Sequence, residues 1–81
     1  MKPETYSTVC DLIRKHSQAL AGRDIEQSET LSDLGIDSLE QLSLVVDVEN
    51  CFDVSIDDEE LAEVRTVKDL AELVDRHRGK G

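Results

Sequence analysis

Leu34-Gly35-Ile36-Asp37-Ser38-Leu39-Glu40-Gln41-Leu42-Ser43-Leu44-Val45-Val46-Asp47-Val48-Glu49-Asn50-Cys51-Phe52 is the stretch that decides how this chain folds. Its glycine reads as a tight loop, and the residues from Asp37 onward read as an amphipathic helix with Ser38 in the first turn. Asp37 is placed to act as N-cap, with Glu40 three positions on as its capping-box partner. Leu39, Leu42, Val45, Val46, Val48 and Phe52 then give a wide apolar arc, expected of a helix packed against several neighbours. The helix should end near Phe52, about sixteen residues or ~24 Å from its start. Glu40, Ser43, Asp47 and Asn50 form the stripe expected to face solvent, and Cys51 reads as a packed or half-buried thiol.

Upstream, the spacing predicts a first helix from about Pro3 to Ala21. Val9, Ile13 and Leu20 recur on one face, Tyr6 and Leu12 flank them, and Gly22 supplies the stop. His16 falls beside this face and reads as structural. Residues 23–36 keep no helical period, yet Ile25, Leu31, Leu34 and Ile36 are apolar. They predict a long connection pinned by four anchors, with a short helical turn around Leu31–Leu34. Loops of this length are uncommon in compact domains unless they serve a function.

Downstream, Val54 and Ile56 carry apolar character into a linker. Asp57-Asp58-Glu59-Glu60 opens a short helix through Leu61 and Ala62, where the helix dipole favours acids. Thr66 is placed to cap a last helix, with Asp69 completing its capping box and Val67, Leu70, Ala71 and Val74 facing inward. Arg76, His77 and Arg78 complement the dipole in the last turn, and Gly79 ends it. His77 thus reads as a helix-end residue. With the one proline, Pro3, at the start, nothing interrupts helices further in. The expected fold is all-α: a single domain over residues 1–81, a four-helix bundle of three longer helices and one short, with a long first loop.

Composition narrows the function. Hydrophobic residues make up 38% of the chain, but Tyr6 and Phe52 are its only aromatic residues, so the core should be comparatively deformable. Cys10 and Cys51 have no partners at zinc-like spacing and read as reduced structural thiols, with no metal site. The stretch Met1-Lys2-Pro3-Glu4-Thr5 has no apolar run of a signal peptide, and no segment is apolar enough to span a membrane. A cytoplasmic monomer is the expectation. The net charge of −10 is concentrated: Asp24 to Glu63 holds fourteen acids and no Lys or Arg. That disfavours nucleic acid and favours positively charged protein surfaces.

Two chemistries do not fit these residues. The loop from Asp53 offers Asp53, Ser55 and Asp57 at calcium-ligand intervals, but Asp58 stands where glycine is needed and Val64 where glutamate is needed. Ser38 has no His or Lys near it in sequence to take its proton, since His16 and His77 lie towards the two ends. A presented hydroxyl without a base implies a residue that another enzyme modifies, on a protein that is not itself an enzyme.

Leu34-Gly35-Ile36-Asp37-Ser38-Leu39, then Phe52, the acidic Asp57–Glu60 run and Thr66-Val67, resemble an acyl carrier protein over essentially the whole chain. The resemblance implies that Ser38 receives 4′-phosphopantetheine from coenzyme A through a magnesium-dependent phosphopantetheinyl transferase. The arm's thiol would then carry acyl groups as thioesters between loading, condensing or tailoring enzymes with basic docking patches. By the same resemblance Asp37 either helps the transferase and its metal or acts only as a cap. Leu39, Glu40, Asp47, Glu49 and Asp58 match contact positions, whereas Val46 and Ile56 are open to a contact role or plain core packing. Ser43, Asn50 and Cys51 stand where the housekeeping fatty-acid pattern usually has acids. That departure points to a discrete carrier in a specialised polyketide or related pathway. An aminoacyl or peptidyl carrier, and an unmodified acidic helical adaptor, are the alternatives.

Overall fold

The computed structural model describes residues 2–20 and 22–79. Four α-helices occur in order, α1 (Pro3–His16), α2 (Ser38–Phe52), α3 (Asp58–Ala62) and α4 (Val67–Gly79). The fold is all-α, as expected, with three longer helices, one short one and a long first connection. α1 packs against both α2 and α4, and α2 also meets α4. Val9, Ile13, Leu44, Val48, Val67, Leu70, Ala71 and Val74 are fully buried where these helices meet.

The first helix is shorter than its periodicity predicts. Ser17 turns extended (φ −142°, ψ 102°) and its backbone N–H closes onto the Arg14 carbonyl, so α1 stops at His16. A single 3₁₀ turn, Gln18–Leu20, then returns Leu20 to the core. The apolar period therefore survives although the helix does not. Ala21, the expected helix end, lies outside the described residues, and Gly22 (φ +77°) stands in the connection rather than at a helix terminus.

All four loop anchors are buried. The expected turn forms where Leu34 N–H donates to Thr30 and Leu31 carbonyls, and Ile36 N–H returns to Leu31 at 2.9 Å. Gly35 takes φ +82° within it, a left-handed conformation costly for residues with a Cβ. The connection is also sewn to the start of α4: Leu31 N–H donates to the Arg65 carbonyl, and Val67 N–H to the Glu29 carbonyl, each at 3.0 Å. These bonds satisfy loop backbone groups that burial of the anchors would otherwise strand.

The second helix differs from the sequence reading on its faces. Leu44, Val45 and Val48 are its buried residues. Leu39, Leu42 and Val46 instead lie 76%, 55% and 53% exposed. Spacings of three and four residues place them together on the face opposite the core, a second apolar stripe rather than part of the first. Cys51 is also exposed, not packed, while Cys10 is buried, and both are free thiols. Burial pushes the Cys10 thiol up.

Candidate functional site

The site begins with the cap. Asp37 is extended, and its Oδ1 accepts the Glu40 N–H at 2.8 Å, fixing where α2 starts. Ser38 is therefore the first helical residue, and it is exposed. The reciprocal half of the expected capping box is replaced. The Glu40 carboxylate reaches His16 Nδ1 at 3.3 Å, and His16 Nε2 lies 2.6 Å from Asp47 Oδ2. His16 thus ties the end of α1 to the acidic stripe of α2, a structural role in keeping with its place beside the apolar face.

Two grooves leave Ser38 in different directions. One, of about 460 Å³, runs between the long loop, the start of α2 and the segment joining α3 to α4; Ser38, Asp37, Thr30, Ser32 and Arg65 are among its walls. The other, of about 310 Å³, runs between α2 and α3 past Leu42, Leu61, Ala62 and Asp58. First-turn N–H groups of a helix have no partner within it. Those of Ser38 and Leu39 are accordingly without an acceptor among the described residues. An anion attached to Ser38 would meet the positive end of α2.

The residues named from sequence are brought together unevenly. Asp37, Ser38, Leu39, Glu40 and Asp58 are exposed around the start of α2, and Val46 continues the same helix outward. Asp47 is half-buried, held by His16. Glu49 is turned inward: its Oε2 accepts the Ile56 N–H at 2.8 Å, clamping the linker after α2. Ile56 is half-buried and packs on the core. Sequence reasoning did not place Leu42 and Arg65 at the site. Leu42 could have been found from its spacing to Leu39 and Val46, and Arg65 as the first base after the acidic run.

The distal acids and bases have structural partners. Thr66 Oγ1 accepts the Asp69 N–H at 3.1 Å, while Asp69 Oδ2 accepts from Thr66 and Arg65 N–H groups, each at 3.2 Å, completing the expected box. Those backbone bonds hold the Asp69 carboxyl below the usual range. Asp75 is lowered too, chiefly by the 2.6 Å hydrogen bond from the buried Thr5 hydroxyl. Tyr6 donates its hydroxyl to the Ile25 carbonyl, pinning the loop, and burial pushes its pKa up to about 12. His77 is more than a helix-end residue: its Nε2 lies 3.0 Å from both Glu60 carboxylate oxygens and joins α4 to α3. Among the described residues no cluster of His, Cys, Asp and Glu could hold a metal ion, and no helix is long and apolar enough to cross a membrane.

Residues 7–74 match the family described as "Phosphopantetheine attachment site". The chain is 33% identical over 79 residues to acyl carrier protein 2, chloroplastic, of Hordeum vulgare, covering 98% of this chain and 61% of that protein. It is 31% identical over 78 residues to an acyl carrier protein of Thermotoga maritima, covering 96% of each. It thus spans about three fifths or less of the plant chloroplastic relatives and nearly all of the bacterial one. A crystal structure of acyl carrier protein from Thermotoga maritima superposes with a TM-score of 0.79 at 26% identity, over 96% of this chain and 94% of that one. The chain belongs to the acyl carrier proteins, carriers rather than enzymes, whose domain bears a covalently attached 4′-phosphopantetheine.

Proposed function

We propose that Ser38 is the attachment point of 4′-phosphopantetheine, and that the protein delivers acyl groups to the enzymes of a specialised, polyketide-type or fatty-acid-like pathway. When bound, the group supplies a thiol on a long arm, on which acyl cargo is carried as a thioester. The observation that carries the reading is Ser38 itself, exposed at the first position of α2 with grooves on both sides. The group fits these residues. The hydroxyl is open to a donor enzyme, and the Ser38 and Leu39 N–H groups, without an acceptor among the described residues, are free for a phosphodiester.

Asp37 fixes the helix start and so fixes where the hydroxyl points. Whether it also assists the transferase and its magnesium ion, Asp37→Asn would tell: modification slowed while α2 keeps its cap is the expected result. Leu39, Leu42 and Val46 form an apolar contact stripe beside the arm, and Glu40, Asp47 and Asp58 surround it with charge for basic patches on a transferase and on client enzymes. Glu49 and Ile56 belong to the supporting layer beneath that surface. Exposed, salt-screened pairs suit complexes that form fast and part easily. Ser43, Asn50 and Cys51 are all exposed. The loss of acidic residues there bears directly on the docking face, which favours dedicated partners over general fatty-acid ones. Free thiols accord with a reducing cytoplasm, where such a pathway would run.

Intact mass after incubation with coenzyme A, magnesium and a promiscuous transferase tests the reading. The wild type is expected to gain one phosphopantetheine, and Ser38→Ala none. No gain by the wild type would instead favour an unmodified acidic adaptor. Loading the modified protein with acyl and aminoacyl donors then separates an acyl carrier from an aminoacyl or peptidyl one.

A further inference from the structure

We propose that Arg65 seats the phosphodiester end of the Ser38 arm, so that the arm lies in the groove between the long loop and the α3–α4 connection rather than in the groove between α2 and α3. This seating rests on the attachment at Ser38 proposed above. Phosphopantetheine begins with an anion and continues through a hydroxyl and two amides, so its natural bed offers donors and acceptors. The two grooves differ in this respect. The loop-side groove presents the Thr30 and Ser32 hydroxyls and the Arg65 guanidinium beside apolar Leu31, Ile36 and Val64. The α2–α3 groove shares Ser38 and Gln41 with it and otherwise presents Leu42, Leu61 and Ala62, with Asp58 as its only charge.

Charge makes the same choice. A new anion at Ser38 enters a forty-residue stretch, Asp24 to Glu63, that has no Lys or Arg. Asp37, which shares the loop-side groove, adds to the repulsion, although its Oδ1 is occupied by the Glu40 N–H. Arg65 is the base that borders this groove, and among the described residues its guanidinium makes no hydrogen bond or ion pair. Four other bases are engaged: Arg14 with Asp11, Arg23 with Glu29, Lys68 with Glu72 and Arg78 with Thr5. The backbone of Arg65 is meanwhile fixed at both ends, its N–H on Asp69 at 3.2 Å and its carbonyl on Leu31 N–H at 3.0 Å. An unpaired cation on a fixed backbone beside the attachment serine suits an incoming phosphate.

Apo and phosphopantetheinylated protein, confirmed by mass, would be compared by ¹⁵N and ³¹P NMR, alongside Arg65→Gln, Arg65→Lys and Arg76→Gln. Modification of the wild type is expected to shift the amides of Ser32, Val64 and Arg65 and the Arg65 side-chain Nε resonance. Those shifts should shrink with added salt. Arg65→Gln should lose them and move the phosphorus resonance, Arg65→Lys should keep most of them, and Arg76→Gln should behave as wild type. Arg65 is exposed, so the variants should fold, and unchanged helical circular dichroism would verify it. Shifts confined to Leu42, Leu61 and Ala62, or identical in Arg65→Gln, would overturn the seating while leaving the attachment intact. Absence of any mass gain would overturn both.

Discussion

Single side chains set the ends of the helices, and with them the place of every group at the site. Asp37 starts α2 and Thr66 starts α4, each by one hydrogen bond from the N–H three residues on. Thr66→Ala should cost about 1 kcal/mol of stability, measured by urea denaturation. Asp69 and Asp75 add a pH dependence of known sign. Both carboxyls are held below their ordinary 3.8, so the unfolded chain takes up protons first as pH falls. Their contribution is complete above that value and is lost as pH drops through the lowered folded values. Melting temperature should therefore fall more steeply in wild type than in Asp69→Asn below about pH 4. Equal slopes would show that the capping carboxylate is not titrating as described.

At the scale of elements, α2 carries two apolar stripes with opposite duties. Leu44, Val45 and Val48 fasten it to the bundle, while Leu39, Leu42 and Val46 face outward. Leu44→Ala should destabilise by about 2–5 kcal/mol through lost burial and the cavity left behind. Leu39→Ala should stay within about 0.5 kcal/mol of wild type in stability. Its cost should appear in transferase or client-enzyme affinity, read by surface plasmon resonance. A large stability loss for Leu39→Ala would place that side chain in the core after all. The loop is the other element whose duty the structure defines. Buried anchors, the Tyr6 bond to Ile25 and the backbone bonds to α4 make it a fixed wall beside Ser38 rather than a tether.

For the whole molecule, the central acidic stretch sets behaviour in salt. Self-repulsion among fourteen acids between Asp24 and Glu63 opposes compaction, so added salt or divalent ions should raise the melting temperature. The same screening should weaken docking to basic enzyme surfaces. Calorimetry and binding measured over one salt series would therefore move in opposite directions. Affinity that ignores salt would remove charge from the docking argument.

Much of this was legible in the residues themselves. Caps, periodicity and the one early proline gave α2, α3 and α4 nearly to the residue, because those signals are local and each side chain acts on backbone within a few positions. The exposed serine without a base, and the acids around it, were legible for the same reason. Local pattern failed where a residue answers to something distant along the chain. Ser17 ended α1 early, and its hydroxyl lies near the Leu34 carbonyl; Glu40 left its own cap for His16; Glu49 turned in to hold Ile56. Leu39, Leu42 and Val46 are as apolar as their buried neighbours, and only the positions of α1 and α4 decide which stripe the core takes. Arg65 and Ser38 lie 27 residues apart, and only the backbone bonds between the loop and α4 bring them to one groove. Helices, caps and the offered hydroxyl were thus written into neighbouring residues of the chain. Which faces stay open around that hydroxyl came from packing, since burial belongs to pairs of elements and not to any one of them.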